Sequence, residues 1–209
     1  MLRFEAIVHN TRQLGCGRVL DHFPTIIGRL AGMVDRFTTT LDCVDVTSIG
    51  DDLLDRLPAA AQVGATRVGG VDLNKPRIRT ALAAVLALSP AAEGFTVSDV
   101  ATKVHTMTGN THYTIRQAAY DLRKLRGKQL VAKPGRTRRY HLDPPTAGTI
   151  AALLTLREHV IRPILAGVRS PRRGRKPATW TQIDRDYETL RTDMQTLLHH
   201  LGITATAAA

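Results

Sequence analysis

Residues 111–128 read THYTIRQAAYDLRKLRGK, and QLVAKPGRTRRYHL follows at once. Few stretches of this length carry so many donors of the kind nucleic acids accept. Arg116 matches guanine O6 and N7, and Gln117 matches adenine N6 and N7. Arg123 and Lys124 lie later in the run, where a cation reaches phosphates. Thr111, His112 and Tyr113 stand at its start. There hydroxyl, imidazole and free backbone N–H groups can face a phosphate.

These residues need an element that turns them to one side. Ile115, Ala118, Ala119, Leu122 and Leu125 recur at helical spacing. At about 100° per residue they form one apolar stripe starting from Ile115. Arg116, Gln117, Tyr120, Arg123 and Lys124 fall on the opposite face. A solvated basic face is the competing reading, with Tyr120 packing sideways. Next, LVAK, the turn PGRT and RRYHL read as a hairpin. Lys133, Arg136, Arg138 and Arg139 gather about its turn. Alternation puts Arg139 and His141 on one side and Tyr140 and Leu142 on the other. Arg116 and Gln117 are expected to touch bases, and Arg136 and Arg138 the backbone.

The charge distribution agrees. The chain has 209 residues and a formal net charge of +11. Residues 76–142 hold twelve Lys/Arg against three Asp/Glu, so nine of the eleven net charges sit there. Such an excess favours an anionic partner, nucleic acid ahead of a membrane surface. No run of 18 apolar residues occurs, and MLRFEAIVHNTR reads as neither signal peptide nor anchor. Two cysteines, Cys16 and Cys43, fit a reducing, cytoplasmic setting better than a disulfide scaffold.

The coarse pattern orders the chain as follows. LRFEAIVHN alternates like a strand, with ATRVGGVDL near 65–73 as one candidate partner. Pro24 opens a helix through Ile26, Leu30, Met33 and Phe37, and a short helix is expected over Asp51–Leu57. Residues 1–75 form an α+β segment. From Pro76, three helices are expected, the first on Ile78, Leu82 and Val85. The second runs from Val97 to Met107 with Ser98 as its cap, and the third starts at Ile115. A minimal strand at Phe95–Thr96 lies between the first two.

Helix, minimal strand, helix, helix and hairpin over residues 76–142 together resemble a winged helix–turn–helix domain. That resemblance implies a mainly α fold with a small hairpin wing and a third helix that enters the major groove of double-stranded DNA. It also implies a wing on the backbone or minor groove. FEAIVHNTRQLGCGRVLDHFPTIIGRL is similar to a stretch of longer uncharacterised bacterial proteins found in mobile-element neighbourhoods. The chain would then be the C-terminal part of a longer product.

Residues 143–167 read as an apolar packing helix and 168–180 as a basic linker. In SPRRGRKPAT, Arg173, Arg175 and Lys176 resemble the core of a minor-groove AT-hook, although Lys176 separates the Gly-Arg step from Pro177. A plain charged linker is the alternative. Residues 181–202 carry Ile183, Tyr187, Leu190, Met194, Leu197 and Leu201 at alternating steps of four and three, a seam suited to pairing two chains or to internal packing. GxxxxGK[ST] and HExxH are absent from the sequence. Asp51, Asp52 and Asp55 read as a helix cap and surface acids, and His199–His200 as a weak metal signal because helix neighbours point apart. The expectation is a DNA-binding protein with no enzymatic activity, metal or cofactor. A structural or interaction module, or a piece of a larger nucleic-acid-processing protein, is the alternative.

Overall fold

The computed structural model describes residues 5–14, 16–45, 49, 52–162 and 179–200. The chain divides into two compact units, one ending at Leu154 and one beginning at Thr155. The described residues are mainly helical, with one small two-stranded antiparallel hairpin. That architecture is consistent with a winged-helix-type fold.

In the first unit a 3-10 turn, Thr11–Leu14, precedes α1, Val19–Asp45. The backbone of α1 leaves helical values at His22, so Pro24 falls in the first turn of the segment beyond the kink. Ile26 of α1 joins Leu14 and Cys16 in a small buried cluster. Arg36 donates to the Pro90 carbonyl at 3.3 Å and Arg29 pairs with Glu93 at 2.9 Å, which docks α1 on the turn that holds Pro90 and Glu93.

A short helix α2, Leu53–Arg56, leads to β1, Ala61–Val63, and β2, Thr66–Val68. Gly64 takes φ +59° at the first position of the two-residue turn, a conformation that favours glycine. Residues 65–73, one candidate partner for a strand at the chain start, pair elsewhere. Thr66–Val68 pairs with Ala61–Val63, two residues away, and residues 5–8 form no strand. A two-residue turn closes far less chain than a return from residue 8. Residues 2–4 of the expected strand lie outside the described residues.

The helices α3, Pro76–Ala87, α4, Val97–Thr108, and α5, Ile115–Gly127, follow at the expected places. Pro76 suits the first turn of α3, where its missing N–H costs nothing. Ser98 is not the cap of α4. Thr96 caps it through a reciprocal box with Asp99. A second box, Thr114 with Gln117, starts α5, and Gly109 ends α4 at φ +67°. Ile78, Leu82, Val85, Phe95, Val100, Val104, Leu122 and Leu125 build the core, which also takes in Leu53, Leu57, Val71 and Leu73 from before α3. From beyond the hairpin it takes Ala147, Ile150 and Leu153 of α6, Pro144–Thr155.

The 130–142 segment closes back by single bridges rather than a full ladder. Phe95 and Tyr140 exchange two backbone hydrogen bonds at 2.9 and 2.7 Å, and Ala132 and His141 exchange two at 2.9 Å. The Phe95 and Tyr140 rings stack with centroids 6.3 Å apart.

In the second unit a π-helical turn, Leu156–Ile161, is followed by α7, Gln182–His200. Thr181 and Asp184 cap α7 reciprocally, and the Tyr187 hydroxyl donates to the His159 carbonyl. No helix among the described residues is long and apolar enough to cross a membrane.

Candidate nucleic-acid interface

The connection from α4 to α5 is short and fully braced. Asn110 Oδ1 accepts from the His112 N–H at 2.9 Å, and Thr108 Oγ1 accepts from the Asn110 N–H at 3.2 Å. His105 Nε2 contacts the Tyr113 carbonyl at 2.7 Å. Thr111 and His112 project to solvent from this turn.

Tyr113 does not. It is 4 % exposed, and its hydroxyl donates to Asp121 Oδ2 at 3.1 Å. The expectation that Tyr113 faces a phosphate is therefore corrected, because the side chain is spent in the interior. Asp121 is 1 % exposed and also accepts from Arg77 Nη2 at 3.0 Å. Burial raises the Asp121 carboxyl above its ordinary range, while Arg77 and the Tyr113 hydrogen bond pull it back. The Tyr113 hydroxyl is pushed well above its usual range by burial, then by Asp121. The buried Tyr113 and Asp121, with the half-exposed Arg77, tie α3, the turn and α5 together, fixing how α5 presents its outer side.

That outer side differs from the simple wheel. Ala118, Asp121, Leu122 and Leu125 face the core. Ile115 is 59 % exposed, so it does not begin the apolar stripe and instead belongs to the outer face. Its neighbours there are Arg116, Tyr120, Arg123 and Arg126, with Ala119 half-buried among them. Arg126, outside the expected set, lies eleven residues after Ile115, about three turns along the same side. Gln117 is half-buried, and its Oε1 accepts the Thr114 N–H at 2.9 Å. Its oxygen is therefore committed to the helix cap.

Lys124 is corrected as well. It is 9 % exposed, its Nζ donates to the Gly70 carbonyl at 3.2 Å, and it lies over the Tyr120 ring at 5.0 Å. The loop before α3 covers it. The next residue but two, Gly127, meets the β1–β2 hairpin, where an added Cβ would lie 2.9 Å from Ala61 Cβ.

The strands expected on either side of Pro134–Gly135 are corrected to the isolated bridges at Ala132–His141 and Phe95–Tyr140. Between them, Thr137 N–H donates to the Pro134 carbonyl at 3.4 Å, closing a turn in which Gly135 takes φ +55°. Arg136 and Arg138 extend into solvent. Arg139 is exposed while one Nη reaches the Gly94 carbonyl at 3.2 Å. Lys133 is half-buried, its Nζ 5.5 Å from the Tyr140 ring centre. The arrangement thus offers two sets of cations, Arg116, Arg123 and Arg126 on α5 and Arg136, Arg138 and Arg139 on the hairpin. The one carboxylate of α5, Asp121, is buried behind them.

Arg173, Arg175 and Lys176 lie outside the described residues, as do Asp51 and Leu201. Along α7, Ile183 is exposed and Tyr187, Leu190 and Met194 are half-buried, while the Leu197 side chain is not among those described. Among the described residues no group of three His, Cys, Asp or Glu side chains could hold a metal ion. No family model, curated protein or solved structure matches this chain, so the two resemblances rest on its own residues.

Proposed function

We propose that the chain is a non-enzymatic binder of double-stranded DNA. Residues 76–142 act as a winged helix–turn–helix, with the outer face of α5 in the major groove and the 130–142 hairpin as a wing on the backbone. The observation that carries this reading is the composition of that outer face. Arg116, Arg123 and Arg126 are exposed there, and the single acid of α5 is turned into the core. A merely solubilising face has no need to exclude acids. Ile115 adds an apolar group of the kind that meets a thymine methyl. The N-terminal resemblance supports a regulatory or mobile-element setting.

Arg116 stands in the first turn of α5, close to where a helix tip meets base edges. Arg136 flanks the hairpin turn, where phosphates are the nearest acceptors. Arg116→Ala is expected to cost about 1–3 kcal/mol on a selected duplex and to blur its preference. Arg136→Ala is expected to weaken every duplex by one factor and to lower the salt slope by about one. Titrations on selected and random duplexes at several salt concentrations read both. Binding of the full chain no tighter than that of a neutral control protein at low salt would reject the function.

The exposed Ile183 supports pairing of two chains along α7, as two-fold DNA readers require. Sedimentation at micromolar concentration tests it, and a monomer would overturn it.

A further inference from the structure

Beside α5 lies an open depression of about 550 Å³. Its lining includes Arg77 of α3 together with Arg116, Gln117, Tyr120 and Arg123 of α5. Arg77 is unlike the others. One of its nitrogens is fixed by the buried carboxylate of Asp121 at 3.0 Å, yet the side chain keeps 41 % of its surface exposed. A guanidinium carries five N–H donors, so one bond to Asp121 leaves most of them for a ligand. Asp121 therefore acts as an anchor that holds Arg77 at the edge of the depression. No ion-pair partner is found for Arg116 or Arg123 among the described residues.

We propose that this depression seats a phosphate oxyanion between Arg77 and Arg123, and that in the DNA complex the occupant is a backbone phosphate. The identity of the occupant rests on the reading of α5 as a groove-binding helix. Phosphate is the chemistry favoured here because three arginines, each with a planar fork of donors, line one open hollow, which suits a multi-oxygen anion. Arg116 lines the same hollow, so the base-reading and phosphate-seating arginines form one continuous surface. Arg77, outside the helix that enters the groove, would set the register of α5 on the duplex.

The test uses the full chain and a double-mutant cycle of Arg77→Gln and Arg123→Gln. Each single variant is expected to weaken selected and random duplexes by the same factor and to lower the salt slope by about one. If both hold one phosphate, the double variant also loses about one unit of slope, and its loss of affinity is smaller than the product of the two. Two units and multiplicative losses would reject a shared seat while leaving DNA binding intact. Arg77→Lys keeps a cation for Asp121. Its unchanged thermal midpoint and weakened duplex binding would support the seat, whereas unchanged binding in both Arg77 variants would overturn it. A second arm titrates inorganic phosphate against chloride at matched ionic strength and follows the Arg77 and Arg123 side-chain resonances. Saturable shifts that a duplex reverses point to one seat shared by free and backbone phosphate. Were the chain to bind no duplex, saturable shifts lost in Arg123→Gln would keep the oxyanion seat, and their absence would sink it.

Discussion

The two halves of α5 meet different surroundings. The first half presents Ile115 and Arg116 to solvent. Along the second half, one flank is covered. Lys124 lies under Gly69 and Gly70, and Gly127 packs against Ala61, Val63 and Val68 of the β1–β2 hairpin. Arg123 and Lys124 are neighbours in sequence and both fall on the polar side of a helical wheel, yet one is exposed and the other nearly buried. Amphipathic periodicity tells which residues face the core of the same domain. It does not tell which polar residues a distant segment will cover, and here that segment decides how wide the usable surface is.

The largest expected effect comes from detaching that cover. A Cβ at Gly70 would stand 2.0 Å from the Pro58 carbonyl oxygen, a backbone atom that cannot swing away. Gly70→Ala is expected to destabilise the chain by about 3 kcal/mol or more in urea denaturation. A loss below about 1 kcal/mol would show that the loop lifts freely from α5.

The triad under α5 comes next. Asp121→Ala leaves the buried Tyr113 hydroxyl without its acceptor and is expected to cost about 1–3 kcal/mol. The same carboxyl gives a pH signature. Its folded pKa lies above the ordinary 3.8, so the folded state holds the proton to higher pH than the unfolded state does. Its contribution to stability is complete below 3.8 and is lost as pH rises through the raised value. Asp121→Asn should remove that loss. The difference in thermal midpoint between wild type and variant, followed upward from acid pH, checks it, and a difference that grows in the opposite direction would contradict the assignment.

The smallest effect concerns the neighbouring cations. Lys124→Met keeps the stem that packs beneath Gly70 and removes a charge that the fold already hides. Duplex affinity is expected to change by no more than about 0.5 kcal/mol, with the salt slope unaltered. A slope lowered as far as in an Arg123 variant would mean that the cover opens on binding.

Much of this site was legible because its signals are local. The three helices after Pro76 and the turn at Pro134–Gly135 follow from spacing within about 70 residues of continuous chain, whereas the strands expected on either side of that turn reduce to isolated bridges. Two errors arose where a long-range contact outweighs local pattern. Tyr113 reads as an exposed aromatic at a helix start, but its hydroxyl is captured by Asp121 on the inward side of α5, a carboxylate that also accepts from Arg77, 44 positions before it. Lys124 reads as a surface cation, but its hydrogen bond goes to a residue 54 positions away. Ile115 was misplaced for another reason. As the first residue of the helix it lies at the edge of the apolar stripe, beyond the reach of the core that Ala118 and Leu122 touch.

The bridge between Phe95 and Tyr140 sets an order of assembly. It joins positions separated by α4, α5 and the hairpin turn, as does the Arg139 bond to Gly94 across 45 residues. Closing a loop of that length costs about 3 kcal/mol in chain entropy beyond a constant term. The capping boxes of α4 and α5, in contrast, span three residues each and nucleate their helices without waiting for distant partners. Helix pairing is therefore expected to precede closure of the 95–140 bridge, and φ-values near one at Val104 and near zero at Tyr140 would check it. The arginines about Pro134–Gly135 would then take their positions after the face of α5 has formed.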